Sequence, residues 1–93
     1  PDLTYSDGVE DSGVPNILFA PVPNGTVYDE KVLSFCYYQA HKVSEIVSYL
    51  GVSDSTYFRK QVLENLVENQ YLEKNKVSRA SYFKTNPEMV RIQ

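Results

Sequence analysis

The chain is poor in the residues that build reactive centres: among its 93 residues there is one cysteine and one histidine. Cys36 therefore has no partner for an internal disulfide, and a four-ligand zinc site is out of reach. No apolar run approaches the roughly 20 residues a membrane span requires, and no basic-then-apolar leader suggests secretion. We therefore expect no membrane association and a reducing, cytoplasmic setting. Phosphate-binding glycine loops and metal-spaced ligand groups are also missing. His41 falls at a helix boundary without a nucleophile beside it in sequence, and Cys36 lies on an apolar helix face, where inert burial is the default. These absences leave catalysis with little support. The expectation is a non-enzyme with no cofactor, no metal and no identifiable small-molecule ligand.

Basic residues are missing from the first third. Residues 1–30 hold six acids (Asp2, Asp7, Glu10, Asp11, Asp29, Glu30) and no Lys or Arg, a net charge of −6. Residues 31–93 hold nine basic and six acidic side chains, a net of +3, so the overall −3 conceals a mildly basic C-terminal part. Residues 1–28 also hold four of the five prolines and three of the four glycines, and they read as an extended leader or linker from a preceding domain. Its one apolar patch, Asn16 to Ala20, is expected to lie against the domain as a short strand or tether, or to join a neighbouring domain or protomer. Pro23 to Gly25 is a turn signal. The chain opens at Pro1 without methionine, and we expect a piece excised from a longer protein.

Helical periodicity dominates the rest of the chain. Asp29 and Glu30 open a first helix expected to reach Gln39, with acids placed to complement the helix dipole. Val43, Ile46, Val47 and Leu50 fall at i, i+3, i+4 and i+7 and define a second helix. Gly51 then supplies a left-handed turn, and Ser53 and Asp54 offer caps to a third helix. Phe58, Val62, Leu63, Leu66 and Val67 carry that helix to about Asn69. Ala40 to Lys42 could pair as a strand with a later hairpin, read as Tyr71 to Lys74 and Ala80 to Lys84 around a polar loop, Asn75 to Arg79. The tail, Asn86 to Gln93, is expected to pack through Met89, Val90 and Ile92. The expected fold is mainly α with a small β-hairpin: a winged helix-turn-helix, three helices plus wing, over residues 29–93.

The stretch LGVSDSTYFRKQVLENLVENQYLEK, followed by SRASYFKTNP, resembles the C-terminal winged-helix module of bacterial transcriptional regulators. Those proteins carry an upstream Schlafen-like (AlbA-type) domain and an ATP-binding domain. The resemblance covers roughly Val32 to Pro87 and is most specific over Gly51 to Leu72. One departure is that Asn69-Gln70 stands where many such modules place glycine, and Asn is the residue expected to take the left-handed turn.

In such a fold the third helix enters the major groove of double-stranded DNA and the wing lies on the phosphate backbone. A 100° wheel with Phe58, Val62 and Leu66 inward sends Tyr57, Gln61 and Glu64 outward, with Thr56 and Lys60 on the flank. Ser53 and Ser55 sit at the helix start, where free N–H groups suit a phosphate, although Ser53 also reads as a plain N-cap. Arg59 falls on the side of Leu66, so it either emerges at the helix end toward DNA or folds back onto a carboxylate such as Glu45. Lys74, Lys76, Arg79 and Lys84 make the hairpin basic, and Lys42 is a further phosphate contact. Glu64 and Glu68 confine insertion to the first two turns. The candidate DNA-binding set is Lys42, Ser53, Ser55, Thr56, Tyr57, Arg59, Lys60, Gln61, Lys74, Lys76 and Arg79. The alternative is a protein-interaction or homodimerisation module, or one that docks on other domains of its own chain. The eight tyrosines and four phenylalanines are expected mostly at the margins of a small core rather than stacked on bases.

Overall fold

The computed structural model describes residues 14–93. Residues 1–13 of the expected leader, with Asp2, Asp7, Glu10 and Asp11, lie outside the described part. Strand β1 (Ile17–Phe19) leads to helix α1 (Asp29–Phe35), strand β2 (His41–Lys42) and helix α2 (Val43–Leu50). Helix α3 spans 56–68, starting with an α turn at Thr56–Phe58, widening to a π-helical stretch over Arg59–Glu64 and closing as α-helix over Asn65–Glu68. Strands β3 (Leu72–Val77), β4 (Ala80–Thr85) and β5 (Val90–Ile92) complete the order.

The expected mainly α winged helix-turn-helix, three helices plus wing, is not what the chain forms. Among the described residues three helices share the fold with five strands in two antiparallel sheets, at 35% helix and 25% strand. One sheet has the order β2-β4-β3; the other pairs β1 with β5. The strands that change the class are short ones of two or three residues, which leave almost no alternation to read in a sequence. Ile17 pairs with Ile92 and Phe19 with Val90, so segments far apart in the chain close one sheet. The Gln93 N–H donates to the Asn16 carbonyl at 2.8 Å, extending that pairing. His41 pairs with Phe83 and Lys42 with Tyr82, which makes β2 the strand partner of the hairpin.

Helix α1 stops at Phe35, short of the expected Gln39. The cause lies in β4. Thr85, fully buried, donates its hydroxyl to the Leu33 carbonyl at 2.6 Å and its N–H to the Cys36 carbonyl at 3.0 Å. Those carbonyls belong to the orphan acceptors at a helix end, and their capture by a strand ends the helix there. At the other end of α1, the buried Asp29 carboxylate accepts the Thr26 N–H at 2.9 Å and the Thr26 hydroxyl at 3.2 Å. This bracket adjoins the expected turn, in which the Gly25 N–H donates to the Val22 carbonyl at 2.9 Å.

Helix α2 buries Ile46 and Val47 and packs Val43 and Leu50 against the same core, as its spacing requires. It ends at Gly51 in the left-handed conformation, φ 73°. The Val52 N–H reaches the Val47 carbonyl at 3.1 Å and the Gly51 N–H the Ser48 carbonyl at 3.3 Å, the two bonds of a Schellman motif. Helix α3 ends in the same way, through Tyr71 N–H to Leu66 carbonyl at 2.9 Å and Gln70 N–H to Val67 carbonyl at 3.0 Å. Here Gln70, not Asn69, carries the positive φ, 69°. The core gathers Val32 and Leu33 from α1 and Cys36 just after it, Ile46 from α2, Val62, Leu63 and Leu66 from α3, and Leu72 and Phe83 from the hairpin.

Candidate nucleic-acid interface

The chain between α2 and α3 decides how α3 presents its side chains. Ser55, extended at φ −130° and ψ 160°, is the N-cap, and its hydroxyl accepts the Phe58 N–H at 3.1 Å. The cap expected of Ser53 and Asp54 thus falls to Ser55, leaving Asp54 for another partner. That partner is Arg59, whose Nε–H and Nη2–H donate to the two Asp54 carboxylate oxygens, each at 2.7 Å. The hydrogen bond and the facing charge hold Asp54 below the usual carboxylate range and Arg59 above its own.

Of the two expected outlets for Arg59, folding back onto a carboxylate is the one seen, with Asp54 in place of Glu45. Arg59 does not itself depart from α-type bonding: its N–H donates to the Ser55 carbonyl at 3.0 Å, four residues back, and the π-helical stretch runs on from it to Glu64. The Glu45 carboxylate accepts the Lys42 N–H at 3.1 Å and lies 3.0 Å from His41 Nδ1, and these two contacts hold it below its ordinary range. His41 is held again by stacking on Phe35, centroids 3.9 Å apart, with Tyr49 on the same ring at 4.2 Å.

The hairpin completes the opposite wall. Val77 pairs with Ala80, so only Ser78 and Arg79 form the turn, with Ser78 at φ 57°. A positive φ at the first of two turn residues suits the twist of the flanking strands. The basic loop expected over Asn75 to Arg79 is therefore mostly strand, and Lys76 sits in β3 opposite Ser81. Lys74 and Lys76, two apart, share a sheet face with Phe83 and Ser81. The Lys74 ammonium stands 6.0 Å from the Phe83 ring centroid, near the outer limit for a cation–π contact.

Between the start of α2, helix α3 and the hairpin lies a groove of about 360 Å³, floored by Val43, Leu63 and Phe83. Four cationic residues line it, Lys42, Arg59, Lys74 and Arg79, against two carboxylates, Asp54 and Glu64. The excess of two positive charges suits an oxyanion. The hydroxyl-bearing Ser44 and Ser81 also line it. Of the candidate set, then, Lys42, Arg59, Lys74 and Arg79 come together in the groove. Ser53, Thr56, Tyr57, Lys60, Gln61 and Lys76 are exposed outside its lining, and Ser55 is occupied as the cap. Asp54 is the groove residue that the sequence marked as a cap instead; with Ser55 as the N-cap, its carboxylate pairs with Arg59.

Among the described residues no three His, Cys, Asp or Glu side chains group as a metal site. Cys36 is buried, and burial, reinforced by the charge of Glu45 and opposed by Lys84, pushes its thiol up to about 12. No helix among the described residues is long and apolar enough to cross a membrane. Comparison with family models, curated proteins and solved structures finds no match, so the site is read from this chain's own residues.

Proposed function

We propose that this chain binds double-stranded DNA as the DNA-contacting module of a cytoplasmic bacterial transcriptional regulator. The observation that carries the reading is the convergence of Lys42, Arg59, Lys74 and Arg79 on one groove between α3 and the hairpin. In this reading a phosphate backbone tracks along the groove. The first turns of α3 then offer Thr56, Tyr57, Lys60 and Gln61 to base edges in the major groove, and Lys76 and Arg79 contact the adjacent backbone. Glu64 and Glu68 are exposed further along α3 and limit how deeply it enters. The test is a salt titration of binding to random-sequence duplex. Micromolar affinity that falls steeply with salt supports the reading, and no binding at low salt refutes it.

A second reading, a protein-interaction or dimerisation module, draws on the β1–β5 ribbon. Among the described residues that sheet has two strands, and it leaves Leu18 53% and Ile92 43% exposed. Light scattering separates the two readings: a stable dimer that does not bind duplex favours the second.

A further inference from the structure

We propose that the groove seats one phosphate group on the free edge of the Arg59 guanidinium, with Asp54 as the positioning residue that holds that guanidinium ready. For its natural source, a backbone phosphodiester, the inference rests on the DNA reading above; a free or small-molecule phosphate shares the chemistry.

Arginine carries five N–H donors in a planar fork. Asp54 occupies one edge, through Nε and Nη2. Among the described residues no hydrogen bond is made by Nη1, so a second edge of Nη1 and Nη2 remains to fork an anion. Paired N–H donors at that spacing match phosphate oxygens, which an ammonium cannot imitate. Lys74 and Arg79 supply charge from the hairpin wall, while Ser44 and Ser81 line the same space. The volume, about 360 Å³, exceeds what one phosphate needs and leaves room for its ester substituents.

An acid in an anion site looks unfavourable, and charge counting alone would have Asp54 weaken binding. The geometry points the other way. A free arginine side chain must be ordered when it binds, whereas one already clamped on a carboxylate gives up little further freedom. With Lys42, Lys74 and Arg79 also present, the groove stays positive despite Asp54 and Glu64. Removing the Asp54 charge therefore weakens binding rather than strengthening it, and the sign of that effect separates positioning from simple repulsion.

The test monitors the Arg59 Nε–H resonance of the whole chain by NMR during titration with inorganic phosphate and, separately, with a short random-sequence duplex. Both should shift that resonance saturably. Asp54→Asn should weaken duplex binding roughly 2- to 12-fold, the cost of ordering one such side chain, with thermal unfolding unchanged. Arg59→Lys should also weaken it, because the fork is gone. If duplex binds and moves other resonances but not that of Arg59, the inference fails and the DNA reading stands. If phosphate moves Arg59 and no duplex binds, the site stands, its source is a small phosphorylated ligand, and the DNA reading fails. Tighter duplex binding by Asp54→Asn overturns the positioning role.

Discussion

Thr85 and Leu33 are 52 positions apart, yet the Thr85 hydroxyl donates to the Leu33 carbonyl at 2.6 Å with Thr85 wholly inside the protein. The bond couples the last residue of the hairpin to the end of α1, and the backbone N–H of the same threonine holds Cys36. Thr85→Val keeps the shape and strands a buried carbonyl. Leaving a buried acceptor unsatisfied costs about 1–3 kcal/mol, and urea unfolding should register a loss of that order. Thr85→Ser, which keeps the hydroxyl and loses a methyl, should cost less. Equal losses for the two would mean that packing, not the hydrogen bond, gives Thr85 its importance.

Gln70 stands where Gly51 stands in the other Schellman motif, at a positive φ of 69° against 73°. Residues with a Cβ are strained there, by roughly 1 kcal/mol, and Gly is not. Gln70→Gly should therefore raise the unfolding free energy by several tenths to about 1 kcal/mol, less what the greater freedom of the unfolded chain removes. Asn86 donates its side-chain amide to the Gln70 carbonyl at 3.0 Å, a backbone contact that the substitution preserves. Chemical denaturation measures the difference, and a loss of stability would mean that the Gln70 side chain contributes more than its strain.

Gly25 is constrained by space instead. A Cβ at that position would lie 2.6 Å from an Asp29 carboxylate oxygen and 2.8 Å from the Val22 carbonyl. The carbonyl is backbone and cannot swing aside, and Asp29 is tied to Thr26. Gly25→Ala should destabilise by about 1–3 kcal/mol, as overpacking does. Thermal unfolding checks this, and a neutral result would show that the turn relaxes without loss.

The legible parts of the fold are those with a repeating signal. The α2 stripe of Val43, Ile46, Val47 and Leu50 and the Gly51 stop are local features, and each is readable from neighbours a few residues away. The short strands are only partly so. His41–Lys42 pairs with the hairpin as expected, but Ile17–Phe19 and Val90–Ile92 find each other across some 70 positions, which no local pattern encodes. Their pairing turns an expected helical domain into a mixed one. The site divides in the same way. Residue type marks Lys42, Arg59, Lys74 and Arg79 as cationic candidates, whereas the pairing of Arg59 with Asp54 depends on Ser55 taking the N-cap and leaving the Asp54 carboxylate to Arg59.

Cys36 gives a pH-dependent prediction. Its thiol is pushed from 9.0 up to about 12 in the folded protein. Between these values the unfolded chain loses the proton and the folded chain keeps it, so unfolding is favoured progressively as pH rises. The stabilisation is complete below pH 9 and is lost toward pH 12. The comparison is with Cys36→Ala, which is less stable at neutral pH but should lose stability less steeply above pH 9. Thiol reagents should modify Cys36 only on unfolding. Rapid modification of the native protein would show that burial does not protect it.

If the chain binds duplex as proposed, the hairpin cations and Glu64 of α3 should make opposite contributions, and the salt dependence of affinity tells them apart. Lys76 and Arg79 lie on the hairpin and make no ion pair with a carboxylate among the described residues. Lys76 is exposed in β3, and Arg79 sits in the turn and in the groove lining. Each phosphate they neutralise releases counterions, so Lys76→Ala and Arg79→Ala should each reduce the slope of log affinity against log salt by about 0.9. Glu64 lines the groove from α3 and repels phosphate without itself releasing counterions. Glu64→Gln should therefore tighten binding at low salt, and the gain should shrink as salt screens the repulsion. A Glu64→Gln protein that binds no better at low salt would place the backbone away from this wall. Unchanged slopes for both hairpin variants would remove the hairpin from the interface.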